Sequence, residues 1–180
     1  MLKNALGYQV RLLNGEWEPL VYDGTPAGTI AGIDALRVLE IGADVQYRVH
    51  VENLGWLDWM NDGEVAGSAD RRHIEAVQFR FIDGNVEGKN HVWGRAASAK
   101  IGLQPVLLPF VEYGEHNYLG TTGKHLQLER LQLWKSSPAE GDVSSLPFVL
   151  DALADPHPHN GTIVARWGGM RLEIASASRA

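Results

Sequence analysis

Residues Tyr47 to Ser68 read YRVHVENLGWLDWMNDGEVAGS, and residues Tyr8 to Thr29 read YQVRLLNGEWEPLVYDGTPAGT. Laid over each other at an offset of 39, position 8 on position 47, they pair Tyr8 with Tyr47, Val10 with Val49, Asn14 with Asn53, Trp17 with Trp56, Asp23 with Asp62, Gly24 with Gly63, Ala27 with Ala66 and Gly28 with Gly67. Self-similarity at a fixed period decides architecture before any local pattern does, because a unit of about 40 residues cannot bury its own apolar face and must share a core with its copies. A third, more divergent copy lies at Val92 to Val106, which overlays Val45 to Trp59 at an offset of 47 and sets Leu103 where Trp56 stands. The closing stretches agree as well: Ile33-Asp34-Ala35-Leu36, Ile74-Glu75-Ala76-Val77 and Leu128-Glu129-Arg130-Leu131.

Within the second copy, Tyr47, Val49 and Val51 alternate with Arg48, His50 and Glu52, the period of a half-buried strand. Trp56 to Met60 reads as a short aromatic strand, stopped by the turn Asn61-Asp62-Gly63. Glu64 to Gly67 reads as a third strand and Ile74 to Phe81 as a fourth, alternating one. Three such units give an all-β chain of about twelve strands, and closure handles the exposed edges. The expected fold is a single domain over 1–180, a pseudo-threefold β-prism of three four-stranded repeats at 8–41, 47–82 and 92–134, with a β-trefoil as the alternative. Residues 135–161 read as a loop insertion; within it Ser144 to Ala154 is the best helix candidate, interrupted by Pro147. Residues 162–174 read as closing strands that could pair with the first copy.

The chain has 180 residues, 44% hydrophobic and 21% charged, with a net charge of −6. It has no basic run of the kind that binds nucleic acid, and no apolar stretch approaches the roughly 18 residues of a membrane span. The absence of cysteine excludes disulfides, thiolate metal sites and a cysteine nucleophile. No secretory leader precedes the first repeat, so the chain is expected to be made in the cytoplasm and to need lysis, virion assembly or a non-standard route to reach an extracellular, virion or cell-surface location without a signal peptide.

Six tryptophans exceed what a core of this size needs. Their faces can stack on the C–H faces of sugar rings while nearby Asp and Asn groups take the hydroxyls. The repeated element Trp-x5-Asp-Gly supplies both at Trp17, Asp23 and at Trp56, Asp62. These tryptophans are either such platforms or core anchors at equivalent positions. Trp59 has no aromatic counterpart (Leu20, Val106), which favours a surface role. With Asn53 these form the candidate ligand-binding set: Trp59, Asp62, Asp23, Trp56, Trp17 and Asn53. Asp155, His157 and His159 form D-x-H-x-H, better explained by its prolines as a stiff loop than as a metal site. No metal and no cofactor is expected. His50, on the polar side of its strand, is expected to face solvent, and Asp34, Glu75 and Glu129 to face solvent or to pair with Arg37 and its counterparts. No catalytic motif of known mechanism is present.

The lead strand, Gly55-Trp56, Trp59, Asp62-Gly63, Ala66-Gly67-Ser68 and Ile74-Glu75-Ala76 together resemble the clostridial hydrophobic repeat with a Gly-Trp signature (ChW repeat). The likeness is closest over Tyr47 to Ile82, looser over Tyr8 to Ile41 and loosest over Val92 to Trp134; Glu16 replaces the Gly of the dipeptide in the first copy and Leu103 the Trp in the third. The resemblance implies a non-catalytic, lectin-like module of bacterial surface, secreted or phage-associated proteins, with a glycan or cell-wall polymer as partner. A structural role, in which exposed apolar strips bind other protein subunits of a virion or surface assembly, is the rival reading.

Overall fold

The structure is a computed structural model and describes residues 5–82, 91–103, 108–109, 118–136, 163–167 and 170–174. The regular structure of these residues is β throughout: β1 (Gly7–Leu12), β2 (Val21–Tyr22), β3 (Ile33–Leu39), β4 (Val45–Val51), β5 (Gly55–Trp56), β6 (Val65–Gly67), β7 (Ile74–Phe81), β8 (His91–Ser98), β9 (Gly102–Leu103), β10 (Leu108–Pro109), β11 (Leu119–Gly120), β12 (Leu128–Ser136), β13 (Ile163–Trp167) and β14 (Met170–Ile174). The helix candidate at Ser144 to Ala154, the D-x-H-x-H segment and nearly all of the 135–161 insertion lie outside the described residues.

Each repeat contributes one long antiparallel pair: β1 with β3, β4 with β7, and β8 with β12. The alternation read from the sequence is realised in β4, where Val45, Tyr47, Val49 and Val51 are buried and the residues between them are half-buried. One face of each pair enters a single apolar cluster, to which the three repeats give Tyr8, Val10, Leu36 and Val38; Tyr47, Val49, Val77 and Phe79; and Ala96, Leu131 and Leu133. A sheet with one apolar face must bury it against another element, and here the three sheets do so in one shared cluster.

The short strands do not all stay with their own repeat. The sequence assigns the Ala-Gly strand to the repeat that carries it. Instead β6, of the second repeat, pairs with β3 of the first (Leu36↔Ala66), and β11, of the third, pairs with β7 of the second (Val77↔Leu119). Ala27, of the first repeat, bridges to Leu131 in β12 of the third, with the two backbone bonds at 2.9 and 2.8 Å. The lending therefore runs two to one, three to two and one to three. Equivalent backbone bonds repeat along it: Gly63 N–H to the Val38 carbonyl at 2.8 Å and Gly24 N–H to that of Leu133 at 2.7 Å. Each seam hides an edge of the preceding sheet that would otherwise be open. The C-terminal strands β13 and β14 pair with each other as a separate two-stranded sheet; among the described residues the first and third repeats are joined through the backbone at Gly24 and Ala27.

All three long pairs carry a bulge at the same place. Arg11 faces Ala35 while Leu12 faces Ile33, so Asp34 is the extra residue; Glu75 and Glu129 are skipped in the same way. A bulge turns its residue off the regular alternation and sharpens the local twist. The apolar spacing of three in Ile33–Leu36, Ile74–Val77 and Leu128–Leu131 is its trace in the sequence, and a reading of simple alternation passes over it. The glycine of each lent strand then lies against the bulge. A Cβ on Gly28 would stand 2.5 Å from the Glu129 carbonyl oxygen, one on Gly67 would stand 2.6 Å from that of Asp34, and one on Gly120 would meet that of Glu75. No other residue fits there.

The core also shows how the third repeat diverged without collapsing. Tyr8 and Tyr47 are fully buried and donate their hydroxyls to the carbonyls of Thr25 and Glu64, which are equivalent residues. The third repeat has Gly94 at this position, and the Leu119 side chain occupies the space that a Cβ on Gly94 would need. Leu119 in turn stands where the second repeat has Ala66. Large and small have changed places, which conserves volume in a close-packed core.

Candidate functional site

The outer face of the second sheet gathers most of the residues singled out from sequence. β4 presents Gln46, Arg48 and His50, and β7 presents Gln78 and Arg80. The Arg48 guanidinium donates from Nε and Nη2 to Gln78 Oε1 at 2.9 and 2.7 Å, and that of Arg80 to Gln46 Oε1 at 2.9 and 2.5 Å. Trp59 lies over both cations, with Arg48 4.4 Å and Arg80 4.2 Å from its ring centroid. Arg48 also sits 4.8 Å from the Trp56 ring. Half-buried Trp59 is thus a braced aromatic plate on the sheet surface, not part of the shared core. Such stacking contributes about 0.5–1 kcal/mol per pair where exposed. Its larger effect here is to hold the indole in one orientation.

The expectation of a continuous aromatic strand from Trp56 to Met60 is corrected. Only Gly55 and Trp56 pair with β4; the chain then touches it again through Leu57 N–H to the Val49 carbonyl and a bridge from Met60 to Tyr47. Leaving the ladder frees Trp59 to fold down over the arginines. The rim is polar: Gln46 Nε2 donates to Asn61 Oδ1 at 2.9 Å, and Glu64 Oε2 accepts from the Asn61 backbone N–H at 2.7 Å.

Trp17, Trp56 and Leu103 occupy one equivalent position, opposite Arg11, His50 and Ala97. None belongs to the core cluster, and Trp17 is 38% exposed. Among the described residues the buried tryptophans are Trp93 and Trp134, which face each other across β8 and β12. Trp56 packs edge-on against His50 (5.3 Å) and Tyr118 (5.7 Å). Asp23 and Asp62 are exposed, but each gives Oδ1 to a backbone amide, Leu6 at 2.9 Å and Ile41 at 3.0 Å, so turn-making takes half of each carboxylate. Asn53 is exposed with φ of 60°, a turn position; Lys100 (66°) holds it in the third repeat. Gly55 (80°) and Gly102 (75°) are likewise left-handed, so the Gly of the Gly-Trp dipeptide answers a backbone need. The structure brings Trp56, Trp59 and Asp62 to one region, and leaves Trp17 and Asp23 on the first repeat.

Two expectations are overturned. His50 does not face solvent: its side chain is 14% exposed and Nδ1 stands 2.9 Å from Glu75 Oε2. Asp34 and Glu75 do not face solvent either, being 0% and 1% exposed, and Arg37 instead donates to the Gly63 carbonyl. Asp34 is held by Arg11 at 2.6 Å and by Arg71 at 2.9 Å. Arg71 comes from Asp70-Arg71-Arg72-His73, and beyond making a turn it also caps the Leu13 carbonyl at 2.7 Å. The exposed Asp70 carboxyl is lowered from its ordinary range by hydrogen bonds from Arg72 and Ser68. Nearby, Glu52 lies 3.3 Å from the Nδ1 atoms of both His73 and His125.

Among the described residues no group of three His, Asp or Glu side chains could hold a metal ion, and no helix is long and apolar enough to cross a membrane. No curated protein and no solved structure matches the chain. One family model does match, over residues 50–82: ChW, Clostridial hydrophobic W, whose repeats are associated with cell-surface or cell-wall-binding proteins. The segment from His50 through the Trp56–Trp59 plate and the Glu75 bulge to the end of β7 is thus the part of the chain that is similar to the Clostridial hydrophobic W repeat.

Proposed function

We propose that this chain is a non-catalytic, lectin-like module that binds a bacterial cell-wall or surface glycan, acting outside the cell or on a virion or cell surface. The observation that carries the reading is Trp59, a ring with the guanidinium groups of Arg48 and Arg80 4.4 and 4.2 Å from its centroid, beside the polar rim of Asn61, Asp62 and Glu64. A sugar ring stacks its C–H face on such a plate while its hydroxyls meet the rim. The companion reading of the fold is a prism of three sheets about a pseudo-threefold axis, supported by the cyclic lending of β6, β11 and the Ala27 bridge. Only the second repeat carries a full plate, so affinity rests on one face rather than on three equal ones, and any avidity requires several chains.

The test is co-sedimentation with purified peptidoglycan and with teichoic acid, followed by a glycan array. Saturable binding that Trp59→Ala reduces by tenfold or more, with unchanged thermal stability, supports the reading (about 1.4 kcal/mol or more of contact energy). Saturable binding indifferent to Trp59→Ala and Asp62→Ala sinks it.

A structural role has one observation in its favour. Leu54 and Ile101, at equivalent hairpin tips of the second and third repeats, are 49% and 51% exposed. Apolar tips of this kind suit contact with other protein subunits. A stable oligomer by light scattering, dispersed by Leu54→Ser with Ile101→Ser and coupled with no glycan binding, favours that role.

A further inference from the structure

The outer face of the second sheet carries more aromatic surface than the fold requires, and comparing the repeats position by position shows where the excess lies. Trp59 is matched by Leu20 and Val106 in the first and third repeats. Tyr118 is a second such residue. β11 joins β7 through Val77↔Leu119 as β6 joins β3 through Leu36↔Ala66, which makes Tyr118 the equivalent of Val65. The bridge Ala27↔Leu131 makes both equivalent to Pro26. A position that the other two seams fill with valine and proline has no structural need for a phenol ring. Both surplus rings nevertheless fall on the same sheet, and Trp56 links them.

Tyr118 immediately precedes β11, at the edge of the second sheet. Its ring centroid lies 5.7 Å from that of Trp56, with the planes at 64°, and its hydroxyl is 3.2 Å from Thr122 Oγ1. Arg48 stands 4.8 Å from the Trp56 centroid and 4.4 Å from that of Trp59. The two indoles are therefore no further apart than those two distances laid end to end. Trp59, Trp56 and Tyr118 form one row of half-buried rings, which runs from the second repeat to a residue supplied by the third. Polar groups flank both ends: the Asn61 rim beside Trp59, and Thr122 beside Tyr118. A single sugar covers one such ring. A row of rings with polar groups along it suits a linear chain whose successive sugars stack in turn.

We propose that Trp56 and Tyr118 form a second sugar subsite beside Trp59, so that the occupant of this face is an extended oligosaccharide rather than a single ring. The inference rests on the glycan reading and adds two things to it: the length of the ligand, and Tyr118 as a binding residue. The third repeat, whose own sheet has Leu103 where Trp56 stands, contributes to recognition by lending Tyr118 to its neighbour. The first sheet has no such row, because Trp17 is accompanied there by Leu20 and Val65 in place of Trp59 and Tyr118. A purely structural Tyr118 would brace Trp56 and so affect short and long ligands alike. A subsite affects only the ligands long enough to reach it.

The experiment titrates the full-length chain calorimetrically with peptide-free glycan strands of peptidoglycan and with teichoic-acid fragments, each sized from the monosaccharide or single repeating unit upward. Concentrations are counted in repeating units, which removes the advantage a long chain has merely from offering more places to bind. Affinity is expected to rise about threefold to tenfold from the shortest probe to the longer ones, the worth of one more stacking contact. Tyr118→Val, which copies Val65 of the first seam, is expected to bring that ratio close to one. Trp59→Leu, which copies Leu20, is expected to weaken short and long probes together. Length-independent binding by the natural chain, a ratio that Tyr118→Val leaves unchanged, or a Tyr118→Val loss equal for short and long probes would each overturn the subsite and leave the glycan reading standing. No binding at any length overturns the glycan reading, and the subsite falls with it.

Discussion

Gly67→Ala tests the seam geometry most directly. Gly67 has no left-handed backbone to strain, so the substitution adds nothing but a methyl group. That carbon would stand 2.6 Å from the Asp34 carbonyl oxygen and 3.0 and 3.1 Å from Ala35 Cβ and Cα. These neighbours are backbone or fixed to it, so no rotamer change relieves the contact. Relief requires β6 to move off β3 and weakens the pairs Ala35↔Gly67, Leu36↔Ala66 and Arg37↔Val65. Overpacking plus partial loss of those bonds costs about 2–4 kcal/mol, or a fall in melting temperature of about 6–12 °C for a chain of this size. Gly55→Ala is the matched control. Its φ is 80° but an added Cβ meets nothing within 4 Å, so it pays for backbone conformation alone, about 1–2 kcal/mol. Urea unfolding and calorimetry of both variants give the comparison. If Gly55→Ala proves as damaging as Gly67→Ala, the glycines of the lent strands are not required by close approach, and the account of the seams fails.

Other substitutions probe different parts of the same frame. Asp34→Asn leaves Arg11 and Arg71 facing a neutral amide at a fully buried site, and about 2–4 kcal/mol of unfolding free energy is expected to be lost; a loss under 0.5 kcal/mol would show that the two arginines are decorative. Burial pushes the Tyr47 hydroxyl up to about 12, opposed by the Val38 amide that donates to it, and burial raises Tyr8 as well. A group whose folded value exceeds its unfolded one stabilises fully below the unfolded value, near 10, and loses that contribution as pH climbs through the folded one. Unfolding free energy is therefore expected to drop by roughly 2–3 kcal/mol for Tyr47 between about pH 10 and 12, and Tyr47→Phe is expected to flatten that drop; an identical alkaline profile in the variant would refute the burial argument.

The repeats, the all-β class and the long strands were legible because they rest on local facts: side-chain alternation has period two, and two stretches share eight residues at one offset. The buried face of β4 follows from Tyr47, Val49 and Val51 alone. The bulges were present in outline, as the spacing of three between Ile74 and Val77, yet the eye passes over one skipped residue within a strand. The Trp56–Asp62 region was half legible. Composition pointed to the aromatic residues, but nothing local says that Trp59 leaves its strand to lie on Arg48 and Arg80, since the arginines sit 11 residues before it and 21 after it.

The sequence by itself determined an all-β chain whose long strands must be covered by others, since each writes one apolar face and too little of it to stand alone. Only the tertiary structure decided which unit lends a strand to which, and therefore where the carboxylates lie. Asp34 and Glu75 read as surface groups because burial is a property of what packs over a residue. What packs over them, the lent strands and their glycines with Arg71 or Thr121, arrives from the next repeat, beyond the reach of any local pattern.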